Sequence, residues 1–260
     1  MSLIDLEKID SYISILYFNN PITRNSMTLE MGQEFNKTLK EISSEKNLIR
    51  VLILTGKNDV FSSGGDLELL KSFATKPQEE NQKFMKYFYN LFLEVRRCPF
   101  IVIAAVNGHA IGASLSLALA CDLRYFVPDG KYAFNFVKIG IHPGMGSSFL
   151  VKEVAGLHYA QELLFTGKVI NGEEAYKMGL CHGLFSREEI LEKTIEIAKE
   201  ISMNAPQPLR MLKKNLYKVQ SLEEALELEA LSQSLNYTTK DFLEAIQSIE
   251  EKRKPIYKEE

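Results

Sequence analysis

Two glycine-centred segments stand out for the chemistry their backbones allow: Phe61-Ser62-Ser63-Gly64-Gly65-Asp66-Leu67 and Asn107-Gly108-His109-Ala110-Ile111-Gly112-Ala113-Ser114. Each leaves an apolar run, Val51–Thr55 and Ile101–Val106, and enters a stretch of helical character. A helix start leaves backbone N–H groups without intrahelical acceptors and carries the positive end of the helix dipole. Two such starts side by side aim two donors at one carbonyl oxygen, the arrangement that stabilises an oxyanion formed from an ester or thioester.

The elements around these loops set the frame. Leu3–Lys8 and Tyr12–Phe18 read as strands about an Ile9-Asp10-Ser11 turn. The weak alternation of Ile13, Ile15 and Tyr17 suits a position near a sheet edge. Thr28 is placed to cap a helix reaching Ser44, with Leu29, Phe35, Leu39 and Ile42 at helical spacing. Strand 49–55, a helix over 66–73, a long Phe- and Tyr-rich helix over 79–97, strand 101–106, a helix over 113–121 and strands 123–127 and 132–136 follow. This strand–helix alternation is that of βαβ units with right-handed crossovers. Beyond Pro143-Gly144 the pattern predicts helices over 146–156, 158–165, 171–178, 186–203, 206–219, 221–235 and 239–252. Leu222, Ala225, Leu226, Leu231 and Leu235 make a stripe suited either to the core or to another subunit.

Bulk properties narrow the partners. The chain has 260 residues, 45% hydrophobic and 25% charged, within the range of one large globular core. A net charge of −3 points to no nucleic acid. Lys213-Lys214 and Lys252-Arg253-Lys254 read as solvated helix faces, contact with a phosphorylated ligand being their other use. Acids within MSLIDLEKID speak against a signal peptide, and the apolar stretch 100–121 is interrupted too often for a membrane span. Cys98, Cys121 and Cys181 are isolated and have neither zinc-ligand nor disulfide-framework spacing. A cytoplasmic protein that needs no metal is the expectation.

The motifs F-S-S-G-G-D-L, A-V-N-G-H-A-I-G-A, A-C-D-L-R-Y, I-G-I-H-P-G-M-G and D-F-L-E-A-I-x-x-I-E-E-K-R-K-P, in this order, resemble the enoyl-CoA hydratase/isomerase (crotonase) superfamily over nearly the whole chain. The resemblance implies an α/β fold: a crotonase-like ββα superhelix with two roughly perpendicular sheets over residues 1–195, and a C-terminal helical trimerisation region over 196–260. It implies an acyl-CoA thioester substrate, no cofactor beyond the coenzyme A of that substrate, and a homotrimer or dimer of trimers. By position it places the oxyanion donors on the N–H groups of Gly65 and Ala113. Ser63, Asp66 and Leu67 fall along the adenine and pantetheine of CoA, and Arg24 near its phosphates.

The usual proton-transfer residues are absent. Hydratases of this family hold a water between two glutamates. The matching positions are Ser116 and Phe136, and Gly144 stands where other members carry an acid. His142, in the loop after the second of these positions, and Glu68 and Glu94, on helices bordering the expected pocket, are the candidate acid–base groups. Pairing of His142 with backbone and ordinary exposure of the glutamates are the competing readings, and Asp66 reads as a helix cap. Ser114 and Ser116 read as capping or core hydroxyls, and Tyr87 and Tyr89 as amphipathic packing. Phe134, Phe136 and Phe149 suit an aromatic-lined pocket or the core equally. Gly112-Ala113-Ser114-Leu115-Ser116 lacks the last glycine of a nucleophile elbow. The expected activity is therefore thioester-enolate stabilisation, nominally enoyl-CoA hydration. A CoA-thioester decarboxylase, isomerase or hydrolase, and a non-catalytic acyl-CoA binder, are the alternatives.

Overall fold

In the structure, a computed structural model, residues 2–44 and 49–258 are described. Strands β1 (Ile4–Lys8) and β2 (Ile13–Phe18) form an antiparallel hairpin. The Asp10 carboxylate closes its turn by accepting the Tyr12 and Ile13 N–H groups at 2.7 and 2.8 Å. Strands β3 (Val51–Gly56), β4 (Ile101–Val106), β6 (Leu123–Phe126) and β9 (Gly183–Leu184) extend the sheet in parallel, in the order β1-β2-β3-β4-β6-β9. A second sheet joins β5 (Ala110–Ile111), β7 (Tyr132–Ala133) and β8 (Val169–Ile170).

The parallel strands are apolar on both faces because both faces are covered. Ile13, Ile15, Val51, Ile53, Ile103 and Ala105 point to one side, where α7 (Ile190–Ser202) packs through Ile190 and Ala198. Leu16, Leu52, Leu54, Val102, Ala104 and Val106 point to the other, into the main core. The alternation along β2 thus marks its α7 face. The strand lies one in from the edge, and Leu16 and Phe18 fill its opposite face.

On the main-core side lie α1 (Leu29–Ile42), α3 (Gln78–Leu93) and α4 (Ala113–Ala120). Thr28 caps α1 by accepting the Met31 N–H at 3.1 Å. Every residue of α4 is buried, as a helix apolar all round must be. Phe61, Phe18, Phe35, Phe92, Phe88, Phe84 and Phe73 form an unbroken ring-to-ring path with centroid separations of 5.1–6.2 Å. Each pair adds about 0.5–1.5 kcal/mol beyond its buried area. The path fastens α3 to the strands that launch the first glycine loop.

Several expectations are corrected. Residues 132–136 are not one strand: β7 ends at Ala133, and a 3-10 turn runs over Asn135–Ile139. The two helices expected over 146–156 and 158–165 are present as the two arms of α5 (Ser147–Thr166), which meet at Gly156, whose φ +76° and ψ 167° are not helical. Strands β8 and β9 are too short to show a period. Helix α7 packs on the sheet through Ile190 and Ala198. After α6 (Gly172–Lys177) and α7 come α8 (Pro206–Lys218), α9 (Leu222–Asn236) and α10 (Lys240–Glu250). Lys213 is not on a solvated face. It is buried, and its Nζ donates to Phe100 O at 2.8 Å and to Asp122 Oδ2 at 2.7 Å. No helix of the described residues is long and apolar enough to cross a membrane.

Candidate active site

The two glycine loops lie side by side. Ser62 donates its N–H to His109 O at 3.1 Å, and Ser114 Oγ donates to Ser62 O at 2.9 Å while accepting the Ile111 N–H at 2.9 Å. Gly64 makes this approach possible: its φ is +91°, and a Cβ there would sit 2.2 Å from Ile111 O. Gly112, at φ +58° and ψ −114°, turns the second loop into α4. Among the described residues no hydrogen bond consumes the Gly65 N–H, and Ala113 opens α4, where its N–H has no intrahelical acceptor. Sequence reasoning missed Ser62 and Asn25 as the supports of this arrangement. Buried Asn25, at φ +57°, donates its side-chain amide to Val60 O at 2.8 Å, and Ser62 Oγ donates to Asn25 O at 2.6 Å. Asn25, of a residue type tolerant of left-handed backbone, was the available signal.

A cavity of about 160 Å³ opens against both loops. Gly65, Asp66 and Leu67 line it on one side, with Ile111, Gly112 and Ala113 on the other. Met85, Phe88 and Tyr89, one face of α3, lie among the residues that close it, together with Phe136, His142 and Gly144. The lining is mostly apolar. Its titratable side chains are Asp66, Tyr89 and His142, and neither lysine nor arginine is among the lining residues.

Each candidate residue has a definite place. Asp66 caps α2 (Leu67–Ser72), accepting the Leu69 N–H at 2.9 Å and the Ser26 hydroxyl at 3.2 Å. Ser63 lines the cavity while donating its hydroxyl to Thr23 O at 3.1 Å. Arg24 is exposed outside the lining, its carbonyl accepting the Ser63 N–H at 2.9 Å. Glu68 does not reach the cavity: its exposed carboxylate pairs with Lys71 at 2.6 Å. Glu94 likewise pairs with Arg97 at 3.0 Å. His142 lines the cavity at its exposed side, with Nδ1 2.8 Å from Pro143 O.

The positions where the resemblance implies acids, Ser116, Phe136 and Gly144, carry no carboxylate. Ser116 is fully buried behind the lining, its Oγ 3.2 Å from Gly112 O and 2.6 Å from Ser147 Oγ, which in turn donates to Gly144 O. Phe136 presents its ring to the cavity, with ring atoms 3.7 and 3.8 Å from the place a Gly112 Cβ would occupy. Phe134 belongs to the core, and Phe149 is 56% exposed. His109 is a backbone partner, its Nδ1 accepting the Lys131 N–H at 3.0 Å.

The fold is that of crotonase-type acyl-CoA enzymes. The structure of an enoyl-CoA hydratase from Bacillus anthracis matches with a TM-score of 0.93 at 31% identity, covering 100% of both chains. That of an enoyl-CoA hydratase from Polaromonas sp. JS666 matches at 0.91 and 27% identity over 98% of this chain and 99% of that one. A crotonyl-CoA hydratase of Syntrophomonas wolfei is 30% identical over 252 residues, 96% of this chain and 95% of its own length. The enoyl-CoA hydratase/isomerase family model matches residues 8–260, and the chain belongs to that family.

Proposed function

We propose that this protein acts on acyl-CoA thioesters of the enoyl class, holding the thioester oxygen between the Gly65 and Ala113 N–H groups while enolate charge develops. The observation that carries this reading is the pairing of two uncommitted donors beside an apolar cavity, with Gly64 shaped to let the loops meet. Coenzyme A extends past Ser63, Asp66 and Leu67 toward Arg24. By its family resemblance the protein assembles as a homotrimer or dimer of trimers.

Nominal hydration does not proceed here by a two-glutamate mechanism, because Ser116 and Phe136 carry no carboxylate. Decarboxylation of a malonyl-type thioester is disfavoured for a different reason. With no lysine or arginine in the lining, its carboxylate would enter an apolar cavity without a counter-charge. A non-catalytic acyl-CoA binder is the second reading, favoured by the absence of a carboxylate at positions 116 and 136.

Loss of the conjugated enoyl-thioester absorbance of crotonyl-CoA tests the reading. Gly65→Ala keeps the N–H, and its Cβ would meet only Leu70 Cδ1, at 3.7 Å, so activity is retained. Gly65→Pro removes the N–H and lowers kcat by about 10²–10³. Binding of crotonyl-CoA without turnover by the parent protein would select the binder.

A further inference from the structure

The absence of a carboxylate at Ser116, Phe136 and Gly144 leaves the proton chemistry to another group. Asp66 is engaged as a cap, the Ser63 hydroxyl is given to Thr23 O, and His142 sits at the exposed side with its Nδ1 on Pro143 O. Asn135 also lines the cavity, but a carboxamide does not titrate. Tyr89 remains. It projects from α3 with Met85 and Phe88, on the face that closes the cavity. A Cβ at Gly144 would lie 2.6 Å from the Tyr89 hydroxyl, so the phenol fills the space that an acid at position 144 would need. Beside it Met145 is held at φ +54°, a backbone form uncommon for a residue with a side chain. Such strain collects at functional sites.

We infer that Tyr89 is the catalytic acid of this site, delivering its hydroxyl proton to the α-carbon of a thioester enolate. The inference rests on the enolate-stabilising reading above. In the step, water adds through oxygen to the β-carbon of an enoyl thioester, and the C=C electron pair shifts onto the thioester oxygen. The enolate pair then takes the Tyr89 proton: the α C–H bond forms and the O–H bond breaks. The phenolate recovers a proton from the oxonium left by the added water. One water is consumed, and no external base is required. Burial raises the phenol above its ordinary value of 10.0, against the pull of the Met145 backbone. It therefore stays protonated at neutral pH, the form an acid needs.

The test compares wild type, Tyr89→Phe and Gly65→Pro in crotonyl-CoA hydration, with thermal melts to verify folding. Tyr89→Phe preserves the ring and its packing. It is expected to lower kcat by about 100-fold or more while KM stays within about threefold. The alkaline loss of wild-type activity, set by the phenol, should vanish from its residual profile. Asp66 and His142, the other titratable groups of the lining, remain in both proteins. Full activity in Tyr89→Phe with an inactive Gly65→Pro would overturn the role of Tyr89 and leave the oxyanion reading standing. Full activity in Gly65→Pro would remove the oxyanion reading whatever Tyr89 does. A wild type that binds crotonyl-CoA and never hydrates it would overturn both hydration and the acid role.

Discussion

Gly64 and Gly65 are adjacent and identical, yet their substitutions have different consequences. A Cβ on Gly64 strikes the Ile111 carbonyl at 2.2 Å and must be held at φ +91°, whereas one on Gly65 makes only an ordinary contact with Leu70 Cδ1 at 3.7 Å. Gly64→Ala should therefore destabilise the protein by about 1–3 kcal/mol or more and push the loops apart, while Gly65→Ala changes little. Denaturant unfolding of both variants checks this, and equal stabilities would contradict it. A second residue-scale effect concerns His182. Burial first, then neighbouring Arg124, hold its imidazole below its ordinary value of 6.5, and Nδ1 accepts the Arg124 N–H at 3.2 Å. The unfolded chain binds this proton more readily than the folded one. The stability contribution of neutral His182 is therefore complete above about pH 6.5 and is lost as pH falls through and below that value. His109, shifted down by burial and Lys131, acts in the same sense. His182→Asn should flatten the fall in melting temperature between pH 7 and 5, and an unchanged slope would count against this assignment.

At the scale of elements, α8 is fastened to the sheet by a polar cluster around buried Lys213. Asp122 accepts from the Val102 N–H at 2.7 Å, Lys213 Nζ at 2.7 Å and the Tyr217 hydroxyl at 2.8 Å. Asp122→Ala leaves the Lys213 ammonium buried and unpaired, so a loss of about 3–5 kcal/mol is expected, larger than for a Lys213→Met and Asp122→Leu pair made together. Equal losses would show that the ion pair matters less than the packing. None of this was legible in the sequence. Lys213-Lys214 has the composition of a solvated face, and only the fold reveals that Asp122, just after α4, lies beneath it. The long helices and β1 to β4 were legible because their apolar periods are sustained over several turns or alternate cleanly. β5, β8 and β9 span two residues each and carry no period. Phe136 looked like part of a strand because Tyr132-Ala133-Phe134-Asn135-Phe136 mimics alternation, yet the chain turns at Phe134 into a 3-10 segment. At the site, the glycine loops stood out because backbone chemistry needs few residue types. Tyr89 did not, since a tyrosine on an aromatic-rich helix is indistinguishable from packing until the cavity is seen.

On the scale of the whole molecule, the C-terminal helices present much apolar surface. No residue of α9 is buried, and Leu222, Leu226, Leu231 and Leu235 are 70, 58, 58 and 48% exposed. Apolar surface left exposed on this scale marks an association surface. In the proposed trimer they meet a neighbouring subunit, and paired Leu226→Glu and Leu231→Glu substitutions should reduce the mass seen by light scattering to that of the monomer. An unchanged mass would move the interface elsewhere. Scaffold and chemistry separate at this scale, since the chain keeps the family fold while the positions where the resemblance implies acids hold Ser116, Phe136 and Gly144. The central claim is that the two backbone donors polarise a thioester carbonyl. The infrared carbonyl band of carbonyl-labelled crotonyl-CoA bound to wild type and to Gly65→Pro addresses it without depending on turnover. The account predicts a band shifted to lower frequency than in free solution, with the shift diminished in Gly65→Pro and retained in Gly65→Ala. A bound thioester with the same band in all three proteins would contradict it.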